Sequence, residues 1–128
     1  MYDKFGQFIN GKWQKSSTGE TYEVINPATE EILGNASKAS IKEIELSLKS
    51  AEKGFQIWKN TSPWERSKII RKISELIRKK NSILANWLTL EVGKPISEGP
   101  GEVGGAADIF PKICNIRVVI QTTLNAKV

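Results

Sequence analysis

Histidine is absent from the 128 residues, and cysteine occurs once, as Cys114. Without histidine, Ser-His-Asp and Cys-His catalysis are excluded within the chain, as are zinc sites that use imidazole. One thiol forms neither an internal disulfide nor a thiolate metal cage. Long apolar runs are missing too, since no stretch approaches the roughly 18 uninterrupted apolar residues needed to span a bilayer. The start, from Met1 to Phe8, has no extended apolar core and no small-residue cleavage site, which argues against a secretory signal. These absences predict a soluble, cytoplasmic chain. Its chemistry would rest on carboxylates, lysines, hydroxyls or Cys114, or on another polypeptide.

What is present suits one domain by length, and 39% of the residues are hydrophobic, which argues against disorder. The net charge of +5 has a local origin. Residues 41–95 carry 12 basic and 6 acidic side chains, whereas the flanking stretches are close to balanced.

The first 36 residues read as short strands. Asn10-Gly11 lies between Phe8-Ile9 and Trp13 and suits the positive backbone angles of a two-residue hairpin turn. A polar stretch from Lys15 to Glu20 precedes a strand over 22–25, which Asn26-Pro27 ends. A further strand is expected over 31–35. Such small strands are marginal in water by themselves and call for covering.

Helices follow, with marked starts. Ser40 with Glu43, and Ser62 with Glu65, have capping-box spacing, and Pro63 occupies a first helical position. Ile44, Leu48, Ala51 and Phe55 predict one apolar stripe. Ile69, Ile70, Ile73, Leu76 and Ile77 predict the buried face of a second helix. After a break at Asn81, Ile83, Leu84, Trp87 and Leu88 give a third stripe, which Gly93 and Pro95 stop. A fourth helix, capped by Ser97, would carry Val103, Ala106, Ala107 and Phe110 and be interrupted at Pro111. Residues 113–120 are rich in β-branched types and read as a strand. The expectation is an α+β chain: a small antiparallel β-region over 5–36, then three to four amphipathic helices over 41–110.

Several features invite a chemical reading. Gly99-Pro-Gly-Glu-Val-Gly104 matches G-x-G-x-x-G, but a helix stop precedes it where a dinucleotide site needs a strand. No carboxylate lies about 20 residues further on to hold a ribose. Small residues at a close helix contact explain the glycines better. Cys114 has Ile113 and Ile116 beside it and no histidine to activate it, so it reads as an inert buried thiol. Glu98, Glu102 and Asp108 read as solvated acids without a metal motif. Arg66, Lys68, Arg71, Lys72, Arg78, Lys79 and Lys80 read as the solvent face of an amphipathic helix. Trp64 and Trp87 are spaced as core residues, not as a stacking platform, so no nucleic-acid binding is expected.

Four separated motifs share one resemblance. Phe8-Ile-Asn-Gly-Lys-Trp13, Val24-Ile-Asn-Pro-Ala-Thr-Glu30, Trp64-Glu-Arg66 and Leu90-Glu-Val-Gly-Lys-Pro95 resemble, in order and spacing, the N-terminal segment of an aldehyde dehydrogenase. Ile96 to Val103 is most similar to the succinate-semialdehyde dehydrogenase branch. The resemblance implies oxidation of aldehydes with NAD or NADP in the full-length family. There a cysteine thiolate captures the aldehyde, hydride passes to nicotinamide, and a glutamate-activated water frees the acid.

It also implies that those catalytic and cofactor-binding residues lie later in the family sequence. No catalytic, cofactor-binding or metal residue and no cofactor is therefore expected in this chain. A monovalent-cation site known in some members would fall on the Val24 or Ile25 carbonyls and Glu102. The resemblance stops after Phe110, so residues 111–128 read as a divergent tail such as a shifted reading frame would produce. Two further readings stand beside the inactive-segment expectation: a standalone protein-interaction module and, behind it, a basic nucleic-acid binder. As an orphaned segment, the chain would self-associate or join aldehyde dehydrogenase subunits through exposed apolar helix faces, with no membrane partner.

Overall fold

A computed structural model describes the backbone of residues 5–125 and the side chains of residues 5–114. Two compact units emerge, one made of residues 5–59 with 90–93 and the other of residues 60–89 with 94–125.

In the first unit, β1 (Gln7–Ile9) and β2 (Lys12–Gln14) form the expected hairpin, with Phe8 opposite Trp13. Asn10 at φ 53° and Gly11 at φ 75° supply the left-handed turn. The Trp13 ring lies 5.3 Å from that of Phe5 and 5.2 Å from that of Phe8, within the range of favourable tilted aromatic pairs. A second antiparallel pair joins β3 (Thr21–Ile25) to β4 (Ile32–Ser37). Its connection is an Asx turn in which Asn26 Oδ1 accepts from the Ala28 N–H at 2.9 Å. β4 ends at Ser37, two residues beyond the expected strand, because Thr21 continues the ladder opposite Ser37.

Helix α1 (Ile41–Asn60) starts where the capping-box spacing puts it. The Ser40 N–H donates to Glu43 Oε2 at 2.9 Å, and the same carboxylate accepts from the Ser17 N–H at 3.2 Å. Glu43 thereby ties the loop after β2 to the start of α1, and only 4% of it remains exposed. The Ser40 hydroxyl, then the Ser40 amide, then Ser17 lower its pKa from 4.5 to about 2. Because the folded state favours the ionised form, this contribution is complete above pH 4.5 and is lost as pH falls towards 2. Amide exchange in the first turn of α1 should accelerate through that window. Glu43→Gln should exchange faster at neutral pH and lose the dependence; an unchanged acid profile would refute the assignment.

In the second unit, α2 (Pro63–Lys79) opens with a complete capping box. The Glu65 N–H donates to Ser62 Oγ at 3.2 Å, and the Ser62 N–H returns to Glu65 Oε2 at 3.3 Å. α3 (Asn81–Val92) starts at the expected break, and Gly93 ends it at φ 73°. The face of α2 differs from expectation. Ile69, Ile73 and Leu76 are exposed, while Ser67 and Ser74 are buried beside the half-buried Ile70 and Ile77. The partner is α4 (Gly99–Asn125), which buries Val103, Ala107 and Cys114. Small residues such as Ser74 and Ala107, which meet at this contact, let two helices approach more closely than isoleucines would allow.

α4 also corrects the reading of 113–120 as a strand: the helix runs through Pro111 to Asn125. β-branching lowers helix propensity only slightly, and an established helix gains a hydrogen bond with each added residue. Trp64 and Ala106, expected in the core, are exposed, and Trp87 is half-buried.

Candidate functional site

The residues singled out in the sequence do not converge on one chemical centre. Cys114 is a free thiol buried on the α4 face turned to α2. Asp108 pairs with Arg78, and both Glu98, at 3.5 Å, and Glu102 engage Lys94. The hydrogen bond from Lys94 to Glu102 leads the causes that raise the lysine's pKa above its ordinary value. Each of the three acids therefore has a cationic partner. Among the described residues no group of three or more His, Cys, Asp or Glu is arranged to hold a metal. Val24 and Ile25 belong to β3 in the first unit, and the Glu102 carboxylate is already taken by Lys94 in the second.

The glycine motif lies inside α4, with no strand before it. Gly99 is buried, and a Cβ there would stand 3.1 Å from both Cβ and the carbonyl oxygen of Ala85 on α3. Gly101 and Gly105 face open space, and a methyl group placed on either would have nothing within 4 Å. Of the three glycines of the motif, Gly99 alone meets a neighbour closely enough for the close-contact reading to apply. Gly101→Ala and Gly105→Ala should each stabilise α4 by up to about 1 kcal/mol. Gly99→Ala should lose that gain to crowding against Ala85. Urea midpoints of the three variants would check the contrast, and three equal shifts would contradict it.

The basic residues of α2 are partly occupied. Lys72 pairs with Glu75 at 3.3 Å, Arg71 Nε donates to Ser67 Oγ at 3.3 Å, and Arg78 meets Asp108. Exposed pairs of this kind are worth little individually, which fits a solvated helix face.

Apolar side chains are exposed on two helices. Along α1, Ile41 is 77% exposed, Leu48 65% and Phe55 59%, and Ile44 is exposed between them. On α2, Ile69, Ile73 and Leu76 form another uncovered stripe. Buried hydrophobic residues among those described are Ala85, Val103, Ala107 and Cys114, all small or medium-sized. Sequence periodicity identified the stripes, and exposed apolar helix faces were expected of an orphaned segment; what the sequence reading missed is that Ser67 and Ser74 are the buried residues of α2. Ser74 carried a signal in its helical register with Ser67, Ile70 and Ile77. No helix of the described chain is long and apolar enough to cross a membrane.

Comparison with known proteins places these surfaces in context. The aldehyde dehydrogenase family model matches residues 13–123, running past Phe110. The chain therefore belongs to the aldehyde dehydrogenase family. Within that family it is 38% identical over 96 residues to succinate-semialdehyde dehydrogenase [NADP(+)] 2 of Schizosaccharomyces pombe, covering 75% of this chain and 20% of that protein. HpcC from Thermus thermophilus superposes with a TM-score of 0.83 at 33% identity, over 86% of this chain and 21% of its own. A Staphylococcus aureus betaine aldehyde dehydrogenase in complex with NAD+ gives a TM-score of 0.82 at 25% identity, over 87% and 23% of the two chains. The chain thus spans about a fifth of the length of the curated relative it matches. The two small antiparallel sheets and four helices among its described residues correspond to the N-terminal part of that fold.

Proposed function

We propose that these residues serve as the N-terminal part of an NAD(P)-dependent aldehyde dehydrogenase acting on a small aldehyde of the succinate semialdehyde type. The 128 residues are inactive by themselves in this reading. The observation that carries it is the pair of uncovered apolar stripes on α1 and α2, in a chain one fifth as long as its relative. Contiguous exposed apolar surface marks a contact face, and the polypeptide that relatives carry beyond this segment is its occupant.

The described residues do not fit a nicotinamide cofactor. The glycine motif is helical, Cys114 is buried, and the acids are engaged by Lys94 and Arg78. Covalent capture of an aldehyde needs an accessible activated nucleophile held beside the hydride acceptor, and these residues assemble neither. Their contribution is to support the domain that supplies both.

The test is direct. The purified chain with succinate semialdehyde and either NAD or NADP should give no reduced nicotinamide. Adding a separately expressed remainder of a related dehydrogenase should quench binding of a hydrophobic dye to the chain. Turnover by the chain alone would overturn its inactivity, and dye binding indifferent to the remainder would overturn the docking surface.

A further inference from the structure

Pro111 lies inside α4 and has no backbone N–H, so the carbonyl four residues earlier, that of Ala107, loses its helical donor. The proline ring also presses against that carbonyl and tilts it away from the helix axis. Ala107 is fully buried, at 0% exposure, so water offers no replacement. An unsatisfied carbonyl in such a place is strongly disfavoured.

The missing donor comes from the neighbouring helix. Ser74 Oγ donates to the Ala107 carbonyl oxygen at 2.7 Å, the ordinary length for a hydroxyl hydrogen bond. Ser74 is itself buried, with 4% exposure. A helical serine commonly turns its hydroxyl back onto its own preceding turn. Here the hydroxyl crosses to α4 and meets the carbonyl that Pro111 released.

We propose that Ser74 is the positioning residue that allows α4 to pass through Pro111, replacing the amide donor that proline lacks. The two residues then form one device. Sliding α4 along α2 by a single residue would separate Ser74 from the freed carbonyl, so the bond also fixes the register of the helix pair. The half of α4 beyond Pro111 takes its course from this contact.

A double-mutant cycle on the full chain tests the coupling. Ser74→Ala should accelerate amide exchange over residues 103–110 on the order of tenfold, because the Ala107 carbonyl is left without a donor. Pro111→Ala restores an N–H at that point. In its background, adding Ser74→Ala should change exchange by less than about twofold, the scatter of uncoupled sites. Equal acceleration in both backgrounds would overturn the proposal. If Ser74→Ala alone fails to fold, recovery of α4 helicity in the double variant supports it. A double variant that stays unfolded where Pro111→Ala folds would show that Ser74 is needed for another reason and overturn it.

Discussion

Replacing Gly6 by alanine should open the β1–β2 hairpin. A Cβ at that position would stand 2.0 Å from the Gln14 carbonyl oxygen and 2.6 Å from its carbon. Both are backbone atoms at the end of β2, so no flexible side chain can swing aside. Relief requires the strand ends to separate, and each strand is only three residues long. Overpacking of this kind costs about 3 kcal/mol or more, which exceeds what an isolated hairpin can supply. The measurement is the cross-strand proximity of Phe8 and Trp13 by nuclear Overhauser effects, which should vanish in Gly6→Ala. Gly54→Ala makes a suitable control. That glycine sits inside α1 with nothing within 4 Å of a Cβ, and the change should stabilise the helix by up to about 1 kcal/mol. A Gly6→Ala chain that keeps the Phe8–Trp13 contact would contradict the account.

Gly93→Ala should be the second large effect, and two separate costs combine in it. The residue closes α3 at φ 73°, where a side chain costs roughly 1–2 kcal/mol. Its Cβ would also approach Pro27 Cγ at 3.1 Å and the Cβ of Ala28 at 3.5 Å. The Asn-Pro turn after β3 and the end of α3 therefore meet where only a hydrogen fits. A loss of about 2 kcal/mol is expected, read as a lowered urea midpoint. Gly93→Asn separates the components, because asparagine tolerates the left-handed backbone better but still brings a Cβ. Equal losses for Ala and Asn would assign the effect to crowding, and no loss in either would refute both components.

Much of the architecture was legible in the sequence because its signals are local. Asn10-Gly11 specifies its own turn, Ser62 with Glu65 forms both bonds of its cap, and Gly93 ends a helix at the required positive φ. The interior was less legible. Isoleucines 69 and 73 read as core by periodicity, yet the buried residues of α2 are Ser67 and Ser74, flanked by the half-buried Ile70 and Ile77, while α4 buries Val103, Ala107 and Cys114. Hydrophobic spacing identifies a face that wants covering; it does not say which neighbour covers it, or whether that neighbour is in the chain. Residues 113–120 were misread for a related reason. β-branched composition states a weak preference, and the helix entering through Pro111 overrides it once the Ala107 carbonyl finds another donor. Of the chemically suggestive residues, Gly99 lies at a close helix contact and Cys114 is buried, as their small and apolar neighbours in the sequence suggest.

α2 has two sides that face different requirements. On one side Ser67 and Ser74 are buried and the Ser74 hydroxyl proton is committed to the Ala107 carbonyl, so larger side chains there would overpack the contact. Along Ile69, Ile73 and Leu76, many shapes would serve provided they remain oily. Libraries randomised on the two sides should therefore fail differently: size intolerance on the first, and on the second a loss that emerges only when the rest of a dehydrogenase is present to be gripped.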